Sequence, residues 1–280
     1  MIEATIVWGL LSACSWGIGD FCGGLATRRT SVWTVVLYSQ GVGMVLLLLL
    51  AIGFGEALPR TTDLAWGMAA GLAGVVGLTA LYQAMAWGQM ALVAPLTAVI
   101  ALSIPVILGI LWEGMPSALT LGGFLLAAVS VMLIAYSPQA KPVAARKGLL
   151  IALIAGLGFG GFFVLIAQTQ DMAIFWPLVA ARFTATVALT GLIAWQQRAW
   201  RPATRQAMLP ITLAGLFDAG GNALFVLAEQ AGRLDIASTL SSLYPVSTVL
   251  LALLLLRERI SLVQGIGVLL ALAAIPLLVA

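Results

Sequence analysis

Four polar side chains stand out inside stretches that are mostly apolar: Asp20, Arg182, Asp218 and Asn222. If those stretches lie in lipid, each charged group costs at least about 2.5 kcal/mol at the centre of a helix, so it needs either a partner or a task. Arg182 and Asp218 each fall about midway along their runs and are expected at similar depth, where they can pair. That pair reads either as an anchor for amino and carboxylate groups or a proton-responsive switch, or as a structural lock. Asn222 follows Asp218 by four residues and shares its helical face, within reach of Asp218 or a ligand. Asp20, flanked by glycines, is the candidate for proton coupling. Its alternative is a carboxylate that reaches the interface or pairs with Arg28 or Arg29.

Aromatic residues supply the second kind of chemistry, stacking and apolar burial without net charge. Trp16, Tyr38, Tyr82, Phe163 and Tyr244 fall within apolar runs and are candidate ligand contacts, the three tyrosines most of all because their hydroxyls need partners. Trp87 is read with them as either cavity lining or lipid-facing. Trp33, Trp176, Trp195 and Trp200 lie near run ends and read as an interfacial belt. The chain has no His and two Cys, which removes the usual proton shuttle and the usual metal ligands. No metal and no cofactor are expected. Cys14 and Cys22 are eight residues apart, roughly 12 Å along a helix, too far for a disulfide. Gly156-Leu157-Gly158-Phe159-Gly160-Gly161 spells a dinucleotide fingerprint but opens no strand–turn–helix unit, and close helix packing explains it instead. Gly19-x3-Gly23 and Gly67-x3-Gly71 read the same way.

The elements that must position these residues are membrane helices. Of 280 residues, 62% are hydrophobic and 8% charged, against about 25% charged in a soluble domain. A span needs about 20 apolar residues. Such runs occur near 4–25, 33–53, 64–86, 92–111, 119–136, 148–167, 173–194, 209–230, 236–256 and 262–279. They are continuously apolar, unlike barrel strands. The first run lacks a basic flank and is expected to be retained rather than cleaved. Basic residues are scattered between the runs, which argues against a nucleic-acid partner.

The fold class expected is all-α integral membrane, ten helices in two inverted five-helix repeats, 1–140 and 141–280. A shift of 139 superposes Gly9, Leu10, Leu11, Ala13, Gly17 and Gly19 on Gly148, Leu149, Leu150, Ala152, Gly156 and Gly158. A shift of 143 pairs Ala80-Leu81 with Ala223-Leu224, and 145 pairs Glu113 and Gly122 with Glu258 and Gly267. Five is odd, so the halves are inverted, the arrangement that alternates between mirror-related states. Pro105 and Pro245 are expected to kink corresponding helices 4 and 9. Glu113 and Glu258 read as caps or interface groups. One side carries Arg28, Arg29, Lys141, Arg146, Lys147, Arg198, Arg201, Arg205, Arg257 and Arg259, against Arg60 and Arg233 on the other. The positive-inside rule therefore places the 137–147 linker in the cytoplasm and both termini outside.

Trp16-Gly17, the run Gly19-Asp20-Phe21-Cys22-Gly23-Gly24 before Arg28-Arg29, and Leu256-Arg257-Glu258-Arg259 resemble the ten-helix EamA type of the drug/metabolite transporter superfamily. The resemblance covers the whole chain and is closest to YddG-like amino-acid exporters. It implies a multi-pass protein of a bacterial-type inner membrane, exporting neutral, aromatic or other apolar amino acids through a central cavity. The partners expected are that small-molecule substrate and membrane lipid, with the chain as a monomer. Members of that type are often assigned cytoplasmic termini, and the charges here say the reverse. The alternative is efflux of lipophilic cations with Asp20 or Asp218 as acceptor. An intramembrane enzyme is disfavoured, because no reactive constellation is present.

Overall fold

Continuous apolar sequence in lipid must satisfy its own backbone, and the helix is the form that does so within one segment. The computed structural model describes residues 2–86, 90–135, 145–169, 173–197, 205–256 and 261–278. The helices are α1 (Ile2–Thr27), α2 (Val32–Gly53), α3 (Thr61–Ala86), α4 (Met90–Glu113), α5 (Ala118–Ala135) and α6 (Ala145–Ile166) in the first part of the chain. Then come α7 (Phe175–Trp195), α8 (Met208–Ala231), α9 (Leu234–Ser241), α10 (Tyr244–Leu256) and α11 (Leu262–Leu278). Among the described residues nine spans are long and apolar enough to cross a bilayer, the ninth formed by α9 and α10 together, and the 17-residue α11 supplies a tenth. Both ends of the chain therefore lie on one face, here the terminal face. The opposite face, which receives the 136–144 linker, is the linker face.

Local chemistry sets several boundaries. Ser31 and Ser117 accept from the backbone N–H of Thr34 and Thr120, capping α2 and α5. At α11 the Ser261 hydroxyl accepts from Gln264 N–H while the Gln264 amide oxygen accepts from Ser261 N–H, a reciprocal box. Gly114, at φ +87, turns the chain away from α4.

The ninth crossing is where structure and sequence expectation differ. The 236–256 run is two helices broken at Ser242-Leu243, and Pro245 is the second residue of α10, where its missing N–H leaves no hydrogen bond unmade. Pro105, by contrast, lies inside an unbroken α4. Every residue of α9 is buried, whereas α10 has none buried.

Packing follows a pseudo-two-fold pattern. The contact of α1 with α8 mirrors that of α6 with α3, α4 on α6 mirrors α9 and α10 on α1, and α3 on α7 mirrors α8 on α2. The self-paired contacts α2–α7, α4–α9 and α5–α11 lie on the axis. Helices of one repeat thus rest chiefly on helices of the other. Glycines set the spacing: a Cβ at Gly71 would lie 2.1 Å from Ala181 O, one at Gly67 2.2 Å from Pro177 O, and one at Gly158 2.5 Å from Gly77 Cα. Along α6, Gly156 and Gly160 meet α4 while Gly158 meets α3, so the fingerprint-like run is a two-sided packing surface. Large apolar side chains such as Leu49, Leu125 and Leu254 stand exposed around the outside, as lipid solvation requires.

Gly71→Ala is expected to destabilise the protein by about 2 kcal/mol through overpacking against backbone. Gly41→Ala, with no atom within 4 Å of its Cβ position, should be neutral. Thermal unfolding of both variants in detergent checks the contrast.

Candidate functional site

The site grows from the seam between α1 and α8. Ser12 Oγ donates to Gly221 O at 2.8 Å, Ser15 Oγ to Phe217 O at 2.6 Å, and Trp16 Nε1 to Asp218 O at 3.2 Å and Asn222 Oδ1 at 3.1 Å. Two small hydroxyls and one indole thus let α1 lie against a polar stripe of α8. Gly221 is required there, because a Cβ would stand 2.4 Å from Trp16 Cδ1. Gly19 also faces α8 closely, since a Cβ there would lie 3.2 Å from Asp218 N.

Beside this seam lies the charge. Arg182 on α7 is 4% exposed, and its Nη1 donates to Asp218 Oδ2 at 2.5 Å and to Gln40 Oε1 at 2.7 Å. Its Nη2 is buried without a hydrogen-bond partner. The pair is lopsided: the arginine side chain is 5% exposed, the aspartate 40%. The guanidinium is therefore sealed between α2, α7 and α8, and the carboxylate opens onto space. Asp20 is exposed on the face of α1 that carries Trp16, one turn on, while Val7 and Leu11 mark the opposite, lipid-facing side. Its exposure is thus to the interior of the bundle. Asp20 lies within electrostatic reach of both Asp218 and Tyr244.

The indole of Trp16 is the hub of an aromatic floor drawn from four helices. Its ring centroid is 5.7 Å from Phe163 of α6, 6.1 Å from Phe225 of α8 and 6.2 Å from Tyr244 of α10. Phe163 and Phe225 meet edge to face at 4.8 Å. Both are buried, whereas Trp16 and Tyr244 are partly open. The break before α10 brings Tyr244 to this floor. What results is an apolar aromatic surface bordered by two carboxylates with access to the interior, one backed by a guanidinium.

The structure gathers Trp16, Asp20, Phe163, Arg182, Asp218, Asn222 and Tyr244 into one region. Tyr38 is not among them. It packs with Ala26, Val35, Ala207 and Ile211 and borders an apolar groove of about 670 Å³ that includes Thr186 and Leu216. Helical phase explains this, since Tyr38 and the inward-facing Gln40 are two residues apart, about 200° around α2. The Tyr82 side chain and Trp87 lie outside the described residues. Gln40 and Phe225 were not singled out from sequence. An amide midway along an apolar run is a signal for the first, and the 143-residue shift that equates Tyr82 with Phe225 is one for the second. Among the described residues no group of His, Cys, Asp and Glu could hold a metal ion.

Removing the Asp218 charge leaves Arg182 sealed with only an amide partner. Asp218→Asn is expected to lower stability by about 2 kcal/mol, less than a fully buried pair would because the carboxylate reaches water. Replacing Arg182 and Asp218 together by leucine should cost less than the single change. Unfolding midpoints of the two variants and the parent in detergent measure this.

The family model of the EamA-like transporter family matches the chain twice, over residues 4–136 and 146–280. A crystal structure is similar over 98% of this chain and 97% of its own, at a TM-score of 0.78 and 15% sequence identity, a likeness of fold alone. No curated protein matches. Two family matches in tandem over nearly the whole length, on a ten-crossing bundle with pseudo-two-fold packing, show that the chain belongs to the EamA-like transporter family.

Proposed function

We propose that this protein is a secondary transporter that exports neutral, aromatic or other apolar amino acids and related metabolites across a bacterial-type inner membrane by alternating access, in the manner of YddG-like exporters. The observation that carries the reading is the aromatic floor of Trp16, Phe163, Phe225 and Tyr244 beside Asp20 and the Arg182–Asp218 pair. Rings bury an apolar side chain, and carboxylates hold an ammonium group. The repeats 1–140 and 141–280 supply the two mirror-related states, and one chain holds the whole site. Binding and release are the entire task, with no bond chemistry and no cofactor. Asp20 is the proton-coupling residue in this reading, being the interior carboxylate on the Trp16 face.

A second reading, efflux of lipophilic cations, is favoured by one specific feature. Both accessible charges are carboxylates, while the single guanidinium is sealed, so a cation over aromatic rings is also accommodated. Proteoliposomes separate the two. Labelled phenylalanine or leucine is expected to move saturably, faster under a pH gradient, with Trp16→Ala raising KM about tenfold, the value of one aromatic contact. Asp20→Asn should remove the pH-gradient stimulation. Saturable transport of a quaternary amine with no amino-acid transport would establish the second reading instead.

The charge distribution is the support for periplasmic termini. Reporter fusions at either end should be active only outside the cytoplasm, and cytoplasmic activity would reverse the assignment.

A further inference from the structure

A second charged constellation lies away from the site, at the terminal face. Arg233, in the turn between α8 and α9, donates from Nε and Nη2 to Asp235 at 3.0 and 2.6 Å. It also donates from Nη1 to Glu113 O at 3.2 Å and from Nη2 to Gly114 O at 2.8 Å. The Glu113 carboxylate is 3.8 Å from Nε and accepts the Leu234 N–H at 3.0 Å. One guanidinium and one carboxylate therefore bind the end of α4, from the first repeat, to the start of α9, from the second. Asp235 is wholly buried, and Gly109 makes room for it, since a Cβ there would lie 2.8 Å from Asp235 Cβ.

Beneath this clamp the terminal half of the bundle is closed. All of α9 is buried, Leu240 lies against Gly9 of α1, and Thr5 of α1 is buried against Gly232. The exposed carboxylates of the site belong to the other half, with α10. A pathway through the aromatic floor toward the terminal face must part α9 from α4 and α1, and the Arg233 contacts stand across that parting.

The inverted repeat does not reproduce all three of these charges in sequence. At shifts of 143 to 145, Arg233 corresponds to Met90, Gln89 or Gly88, and Asp235 to Leu92, Ala91 or Met90, none of them charged. Only Glu113 has a charged counterpart, Glu258. The two ends of the bundle are thus unequal in sequence, because the positions that supply Arg233 and Asp235 at the terminal face have uncharged counterparts in the first repeat.

We propose that Arg233, Glu113 and Asp235 form an ionic latch that holds the terminal face shut and biases the protein toward the state open to the linker face. This rests on the alternating-access reading but not on the identity of the cargo.

The test is thiol accessibility in the full chain, in membrane vesicles of known sidedness, with Cys14 and Cys22 replaced by serine. Thr5→Cys reports on the terminal face beneath the latch. Gly24→Cys, exposed with nothing within 4 Å of its Cβ position, reports on the linker-face end of α1. A membrane-impermeant maleimide applied to the terminal face should label Thr5→Cys slowly in the parent and about fivefold faster with Glu113→Gln or Arg233→Gln, as expected for a half-exposed ion pair. Labelling of Gly24→Cys from the linker face should fall in the same variants. Glu113→Gln keeps the acceptor for Leu234 N–H, so it tests the charge even where Arg233→Gln fails to fold. Unchanged Thr5→Cys labelling in both variants, fast labelling in the parent, or a rise at both positions would overturn the latch, the last marking a purely structural clamp. Failure of amino-acid transport with the labelling pattern intact would overturn the cargo and leave the latch standing.

Discussion

A guanidinium held at the middle of a membrane-spanning bundle is the constraint on which the rest of the site depends. Arg182 is withdrawn from water and lipid, and Asp218 and Gln40 meet it from two other helices. That requirement draws α2, α7 and α8 together. Asp218 in turn fixes the height of Trp16, because the indole N–H is received by the Asp218 carbonyl and by Asn222 one turn later. Charge, seam and aromatic floor form one connected unit, and a change in any of them is felt by the others.

The close contacts around this unit use glycine and backbone rather than interdigitating large side chains. In lipid no hydrophobic force drives helices together, so approach distance and hydrogen bonds decide which surfaces meet. Gly67 and Gly71 against α7, and Gly158 against Gly77, are instances where a single methyl group would collide with main chain. Because helices of each repeat pack mainly on those of the other, the repeats are units of sequence and symmetry rather than separate bodies. In the alternating-access reading proposed above, rearrangement runs along helix seams and at the α9–α10 break, the point where a crossing is already divided.

The inverted symmetry is imperfect in sequence at the terminal face, where the proposed latch lies. Two mirror-related states of equal energy would give a carrier with no resting preference, whereas differences between equivalent positions bias the population. Arg233 and Asp235 at the terminal face, against the uncharged residues at their counterparts, are such a difference.

Ten crossings and the inverted repeat were legible in the sequence, because span length and period are local or additive properties, and the cost of charge in lipid marked Asp20, Arg182 and Asp218 as groups to be accommodated. The break in the ninth crossing was half legible: Pro245 marks it, but whether a proline bends a helix or begins a new one depends on what surrounds it. Orientation of side chains was not legible. Tyr38 and Gln40 are both plausible inward residues by type, and only the placement of α2 against α7 and α8 turned the amide to the guanidinium and the phenol to a separate apolar cluster. Likewise Phe225 joined the floor, and Arg233 met Glu113 across 120 residues of chain, because helix rotation and neighbour choice are set by packing of the whole bundle. The amino-acid sequence by itself determined the membrane fold, its repeat and which polar groups had to be accommodated. Only the tertiary structure decided which faces met, since in a uniformly apolar helix the periodicity that would announce an inward face is nearly absent.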